Sequence, residues 1–172
     1  MFSKMKMLLA FLASDSKLLE SHILNKAAAF AAGGENPMIH VEVVFVDREG
    51  RDGIIGRSCS IHYGGKVFLE QKRFSRSQWR FRSVSASDSQ VSAALKFCGN
   101  HVGEGFNKTG FFLQPFAGSR LSSDKWFCSE IVAGALNAAG VKVAPSLHPN
   151  ALFKAVADST APDCPRNVEM KF

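Results

Sequence analysis

Two short apolar stretches near the start of the chain predict strands that are buried on both faces. Residues 7–13 are apolar throughout, and in residues 39–46 apolar side chains fall on both alternating sides of a strand. His40 and Glu42 interrupt one of those sides. Because side chains two positions apart on a strand point the same way, we expect this imidazole and this carboxylate to lie together.

The segment between these two strands has the features of a helix. Asp15 or Ser16 can cap its start, and we predict that it spans about 17–32. Gly33-Gly34 then ends the helix, and Pro37 returns the chain to an extended conformation.

Strands also dominate the middle of the chain. A polar turn is predicted over 48–53, because it combines charged residues with two glycines. Three further strands are predicted over 54–62, 66–73 and 78–84. Only short polar segments separate these three strands, so we expect them to pair in order as an antiparallel meander.

The second half of the chain is mainly helical. The first helix is predicted over 87–101 and begins with a capping box formed by Ser87 and Gln90. A second, strongly apolar helix is predicted over about 124–140 and ends on a glycine. A last short helix is predicted over 149–157, with proline in its first turn.

Length and composition fit one domain. The chain has 172 residues, of which 46% are hydrophobic, enough to form a substantial core. We predict a single domain over 1–172, with the core in about 7–157 and a loosely held tail over 158–172. The apolar stretch at 7–13 is too short for a membrane-spanning helix and lacks a clear cleavage site for a signal peptide. This predicts a soluble, cytoplasmic protein.

The four cysteines are irregularly spaced, which favours reduced thiols over a disulfide framework. Two Cys-x-x-His pairs, Cys59 with His62 and Cys98 with His101, suggest a zinc site. An offset of three on a strand, however, sends Cys59 and His62 to opposite faces. We therefore predict neither a metal nor a cofactor.

Cys128 is the thiol best placed for chemistry. It lies in the segment Trp126-Phe127-Cys128-Ser129-Glu130, at the start of the apolar helix. The positive end of a helix favours a thiolate, and a histidine can take the thiol proton. The alternative is that Cys128 is a small buried side chain without reactivity, as free cysteines often are.

The order of these elements resembles the circularly permuted branch of the NlpC-type papain-like cysteine hydrolases. The resemblance covers about residues 7–157 and is carried by Ile39-His40-Val41-Glu42 on a strand, by the Trp79 strand and by Phe127-Cys128-Ser129-Glu130 opening a helix. That branch includes bacterial and viral members and relatives of lecithin retinol acyltransferase, and its histidine strand precedes its cysteine helix. The resemblance implies an α+β permuted papain-like fold whose antiparallel sheet packs against the cysteine helix.

The resemblance also implies roles for particular residues. Cys128 matches the nucleophile and His40 its base. Glu42 is our first candidate for the third group, which orients the imidazole, because it lies two residues from His40 on the same strand face. In many relatives this group comes from the following strand, where three candidates leave the choice open: Ser58, Ser60 and His62.

The implied reaction is attack of the Cys128 thiolate on an amide or ester carbonyl. This gives a thioacyl intermediate that water or an acceptor releases, so the protein is predicted to be a hydrolase or an acyltransferase with a peptide or lipid substrate. The backbone amide of Cys128 is the first candidate for an oxyanion donor. Glu130 is expected to be structural, since a carboxylate in the first turn favours the helix.

A non-catalytic binding protein of the same fold is the alternative. The formal net charge is +6, and residues 72–82 interleave basic with aromatic side chains. The alternation of Trp79 and Phe81 with Arg80 and Arg82 predicts a half-buried strand, with aromatic rings inward and guanidinium groups in water. An anionic membrane surface is favoured over nucleic acid as the partner, through four arginines: Arg73, Arg76, Arg80 and Arg82.

Overall fold

The computed structural model describes residues 5–13, 37–107, 125–144 and 148–159. Over these ranges the chain is α+β, as predicted, with a five-stranded antiparallel sheet, a short parallel strand pair and three helices. The predicted helix over 17–32 lies outside the described residues, as do residues 160–172 of the predicted tail, with Cys164; the last helix continues through the first two tail positions to Ser159. The strands are β1 Lys6–Ala13, β2 Met38–Gly50, β3 Gly53–Ile61, β4 Val67–Ser75, β5 Trp79–Val84, β6 Gly105–Phe106 and β7 Lys125–Trp126. The helices are α1 Asp88–His101, α2 Cys128–Ala138 and α3 Pro149–Ser159.

The observed strands begin and end close to the predicted positions, with one clear difference. β2 continues through the polar residues where a turn was predicted, and the turn before β3 is only Arg51 and Asp52. The register shifts between Val46 and Arg48, after which pairing with β3 resumes and extends to Gly50. Backbone pairing with β3 therefore extends β2 beyond its buried residues, into a part where its side chains are exposed.

The order of strands in the sheet is β4-β3-β2-β1-β5. The predicted meander is correct for β3 and β4, which pair antiparallel. It is wrong for β5, which pairs with β1 and forms the opposite edge of the sheet. Only residues 76–78 separate β4 from β5, so the two edges are joined by a very short connection.

The short connection is possible because the sheet is rolled. In a flat sheet the two edges of five strands would be about 19 Å apart, at about 4.8 Å per strand. Yet the ring of Phe74 on β4 lies 5.0 Å from the ring of Trp79 and 6.4 Å from that of Phe81, both on β5. Five buried side chains fill the inside of the roll: Leu8, Ala10, Val44, Ile54 and Phe74.

The three helices cover the outer face of the roll. That face and the helices share a second, larger core, in which Val41 and Val43 of β2 are fully buried. α2 contributes most of its length to it, through Ile131, Val132, Ala135 and Leu136. The two faces of β2 are thus both buried, as its sequence pattern predicted. Within the described ranges, no helix has the length and apolar character needed to cross a membrane.

The predicted start of α1 and the predicted glycine end of α2 are confirmed, whereas α2 begins at Cys128 and not near residue 124, because Lys125–Trp126 pair with β6 as a strand. Ser87 Oγ accepts from the N–H of Gln90 at 3.3 Å, and the Gln90 side chain accepts from the N–H of Ser87 at 2.9 Å. This is the reciprocal capping box that the sequence predicted. After α2, Gly140 adopts φ 79°, the left-handed conformation that lets Val141 donate to the Leu136 carbonyl at 2.9 Å.

Two glycines give a matched test of the rolled sheet. A β-carbon at Gly56 in β3 would overlap the backbone carbonyl of Phe45, which cannot rotate away. We expect Gly56→Ala to lower the free energy of unfolding by about 2–3 kcal/mol, measured by urea unfolding. A β-carbon at Gly99 in α1 meets nothing within 4 Å. Gly99→Ala should therefore raise stability by about 0.5–1 kcal/mol. Equal stabilities of the two variants would contradict this packing.

Candidate active site

His40 lies at an irregularity in the pairing of β1 with β2. Leu12 is opposite His40 and Ala13 is opposite Met38, so Ile39 has no partner on β1. This is a β-bulge, a feature that turns the neighbouring side chain away from its regular direction and that recurs beside active sites. The His40 side chain is 14% exposed, enough for one part of the ring to be reached from outside.

The carboxylate of Glu42 lies beside this imidazole, as the strand alternation predicted. His40 Nε2 is 3.2 Å from Glu42 Oε1. The Glu42 side chain is only 1% exposed, yet donors on two further strands also reach it. Ser58 Oγ on β3 donates to Oε2, and Lys72 Nζ on β4 lies 3.2 Å from each carboxylate oxygen. Glu42 is therefore paired on all sides inside the roll.

The structure distinguishes the four candidates for the group that orients the His40 imidazole. Ser58 bonds to Glu42, and Ser60 Oγ donates to the Val41 carbonyl at 2.7 Å. His62 stacks on the His40 ring, with centroids 5.2 Å apart and ring planes 24° apart. Burial and the charge of His40 lower the pKa of His62, which keeps it neutral. Of the four candidates, Glu42 is the one whose side chain meets a ring nitrogen of His40.

His40 and Glu42 each change the pKa of the other. Burial alone would lower the pKa of His40, but the hydrogen bonds and charges of Cys128 and Glu42 outweigh it and raise this pKa to about 9. Burial alone would raise the pKa of Glu42, but His40, Lys72 and Ser58 outweigh it and lower this pKa to about 2. At neutral pH the pair is therefore an imidazolium beside a carboxylate.

Cys128 is the first residue of α2, and the chain before it is firmly held. β7 pairs with β6, and the N–H of Asn107 donates to the Trp126 carbonyl at 3.0 Å. Glu130 Oε2 accepts from the N–H of Phe127 at 2.9 Å, which confirms the expected structural role of Glu130 at the start of the helix. Because the first intrahelical bond is donated by Ile131, the Cys128 amide has no acceptor within the helix.

The thiol of Cys128 lies near the imidazole of His40 and raises the pKa of that ring. Nε2 is the ring nitrogen of His40 that faces Glu42. The cysteine, the histidine and the carboxylate are therefore neighbours in this order, placed by the start of α2 and two positions of β2. The edge of Trp79, with its ring centroid 6.2 Å from that of His40, packs against the same imidazole.

The four residues of the zinc hypothesis do not come together. Cys59 and Cys98 meet in the core under the helices, where this contact and burial raise the pKa of the Cys98 thiol. His62 lies on the inner side with His40, and His101 Nδ1 bonds to Glu104 at 3.0 Å. In the described parts of the chain, no three His, Cys, Asp or Glu side chains are arranged to hold a metal ion.

The arginines of the predicted membrane contact have different surroundings. Arg76 pairs with Glu49 at 2.5 Å, while Arg73 and Arg80 are exposed. The guanidinium of Arg82 lies 3.8 Å from the ring centroid of Phe153 on α3. The expectation that both guanidinium groups of β5 face water is thus wrong for Arg82, because the outer face of that strand lies under a helix.

Lys72 is the residue of this site that sequence reasoning missed. It stands at the start of a basic segment, where it was counted only as positive charge. The sequence did contain a signal for its position. Lys72 is two residues before Phe74, so both side chains lie on the same face of β4, and Phe74 is buried. That signal places Lys72 inside the roll only once the sheet is known to curve.

Comparisons with known protein families, with curated proteins and with solved structures found no match. The family resemblance therefore remains a prediction based on the motifs and their order.

The ionisation of His40 and Glu42 predicts how stability depends on pH. The folded-state pKa of His40, about 9, is above the ordinary value of 6.5, so its contribution is complete below about pH 6.5 and disappears as pH rises through 9. The pKa of Glu42, about 2, is below the ordinary 4.5, so its contribution is present above about pH 4.5 and disappears as pH falls through 2. Both contributions are present between these limits.

We expect the wild type to be more stable than His40→Ala at pH 6, and this difference in the free energy of unfolding to shrink by about 2–3 kcal/mol by pH 9.5, measured by urea unfolding. Parallel stability curves for the two proteins would contradict the raised pKa.

Proposed function

We propose that the protein is a cysteine hydrolase or acyltransferase with a permuted papain-like fold. Cys128 is the nucleophile, His40 is its base and Glu42 orients the imidazole. The observation that carries this proposal is that a buried carboxylate bonds to an imidazole, and that a thiol at a helix start lies near the same imidazole. A nucleophile, a base and an orienting group in this order are the minimum that thiol acyl transfer needs.

The architecture supports the fold part of this proposal. An antiparallel sheet packs against the helix that begins with the cysteine, and the histidine strand comes before that helix in the chain. Both features agree with the resemblance to permuted NlpC-type papain-like hydrolases. The proximity of Cys128 to His40 brings together two elements that are far apart in sequence, as that family's topology requires.

The geometry supports a definite sequence of steps. The Cys128 sulfur attacks the carbonyl carbon of an amide or ester, and the carbonyl oxygen becomes an oxyanion near the Cys128 amide. His40 then gives its proton to the leaving amine or alcohol, which departs as the thioacyl bond is completed. Neutral His40 next takes a proton from water or from an acceptor alcohol or amine. That attack releases the acyl group and regenerates the thiolate and the imidazolium.

Glu42 has two functions in this cycle. It fixes the ring through the contact of Nε2 with the carboxylate, which leaves Nδ1 available for the proton of Cys128. It also stabilises the imidazolium, since the raised pKa of His40 depends partly on its hydrogen bond and charge. The substrate is a peptide or a lipid with an amide or ester bond.

The pH dependence of Cys128 alkylation tests the pair directly. A thiolate held by an imidazolium should react with iodoacetamide at pH 6, whereas an ordinary thiol is almost fully protonated there. We expect His40→Ala to slow alkylation of Cys128 at pH 6 by at least about tenfold and to have little effect at pH 9. Peptide mass spectrometry of the digested protein gives the rate.

The same digest contains its own controls, because Cys59 and Cys98 are fully buried and should remain unmodified while the fold is intact. If Cys128 is unreactive at pH 6 in the wild type, or reacts equally in both proteins, the catalytic proposal is wrong.

A non-catalytic role in binding an anionic surface is the second candidate, and one group of side chains favours it. Arg48, Arg57 and Arg73 lie on three neighbouring strands and are exposed. Arg48 and Arg73 are both opposite Ile55 in the strand register, one on each side. Within the described ranges, none of these three arginines has a hydrogen bond or ion pair. Three uncompensated guanidinium groups on one sheet surface suit an anionic membrane.

This second candidate is tested by sedimentation with vesicles that contain phosphatidylserine. At about 1 kcal/mol per basic side chain, Arg57→Glu with Arg73→Glu should weaken binding by about 30-fold or more. Arg51→Glu, in the exposed turn between β2 and β3, should weaken binding less than Arg57→Glu alone or Arg73→Glu alone, each of which makes the same change in charge. Equal binding by the wild type and the double variant would exclude this surface.

A further inference from the structure

Lys72 makes an unusual contact for a side chain on an edge strand. Its ammonium lies 3.2 Å from both oxygens of Glu42 and 4.0 Å from the centroid of the Phe68 ring. The side chain is 26% exposed, while its partner Glu42 is 1% exposed. A cation that is held over an aromatic face and against two carboxylate oxygens has little freedom to move. Lys72 is therefore a fixed charge at the rear of the candidate active site.

The charge of His40, in contrast, changes during the proposed reaction. The ring is an imidazolium in the resting pair and becomes neutral once it has protonated the leaving group. At that moment Glu42 loses one of its two cationic partners but is still buried. A buried carboxylate without sufficient positive charge takes up a proton. A protonated Glu42 would no longer hold the imidazole as an anionic acceptor, just when His40 must act as a base.

We propose that Lys72 is a positioning residue that keeps Glu42 ionised while His40 is neutral. This inference rests on the proposed function, and it concerns the second half of the reaction, in which the thioacyl bond is broken. Lys72 does not touch the sulfur or the reacting carbonyl. It acts through Glu42, which in turn holds the imidazole.

The other groups around Glu42 cannot supply this charge. His40 is the group that changes, and His62 is kept neutral by burial and by the charge of His40. Ser58 donates a hydrogen bond without a charge, and Glu70 on β4 is itself acidic. Cys128 becomes neutral when it carries an acyl group. Ala10, which lies opposite Glu42 on β1, is apolar, and so is Phe81, which lies opposite Ala10 on β5. Among the described groups facing Glu42, Lys72 is the one that is positive in every step.

The test uses a background in which residue 40 is permanently neutral. His40→Gln keeps a polar side chain of similar reach but cannot become charged. In this protein the titration of the Glu42 carboxyl is followed by carbon-13 NMR. We expect the added change Lys72→Met, which keeps the stem over Phe68 and removes the charge, to raise the midpoint of that titration by about one pH unit or more. Lys72→Arg in the same background keeps the charge and should leave the midpoint near that of His40→Gln alone.

An unchanged midpoint with Lys72→Met would overturn the proposal, since the charge of Lys72 would then not be what keeps Glu42 ionised. If Lys72→Met does not fold, Lys72→Gln gives the same comparison with a side chain that can still donate to Glu42. The readout does not depend on Cys128 or on a substrate. If the midpoint rises but wild-type Cys128 is unreactive at pH 6, the proposed function fails and the positioning role fails with it, leaving Lys72 and Glu42 as a charge pair of the fold.

Discussion

An ionised carboxylate inside the rolled sheet constrains the rest of this structure. Glu42 is almost completely buried, and an isolated charge in such a place would be strongly unfavourable. It is tolerated because His40 on its own strand, Ser58 on β3 and Lys72 on β4 all reach it. Removing one partner of a buried charged group typically destabilises a protein by about 3–5 kcal/mol. The carboxylate therefore fixes three strands relative to one another, because a shift of one residue in β3 or β4 would turn its donor to the opposite face.

The roll of the sheet determines where chemistry can occur. One part of its inner side is closed by apolar side chains such as Val44, Ile54 and Phe74. The other part carries His40, Glu42 and Lys72, and the start of α2 brings Cys128 to the imidazole there. The apolar part excludes water, and the carboxylate of Glu42 in the polar part is fully paired, so the inner side combines a stable core with an ionised site. The bulge at Ile39 lies where the strand passes into this polar part.

The cysteines show that the environment, and not the residue type, determines reactivity. Cys59 and Cys98 contact each other in the core, and this contact and burial raise the pKa of the Cys98 thiol, so it remains a small apolar side chain. Cys128 is half-buried at a helix start, beside a histidine that a carboxylate keeps charged. A helix start and an imidazolium both favour a thiolate. These different surroundings are the reason that, of the three thiols in the described residues, one is proposed to be a nucleophile and the other two to be structural.

The sequence alone determined the features that depend on near neighbours. Strand alternation placed His40 and Glu42 on one face, Ser87 and Gln90 marked the start of α1, and the apolar pattern after Cys128 indicated a buried helix. Only the tertiary structure decided that β5 crosses to the far edge, that Lys72 reaches Glu42 and that the thiol meets the imidazole. Local pattern fixes which way a side chain points relative to its own backbone. It does not fix which distant strand or helix lies opposite, because that depends on how the whole sheet curves and closes.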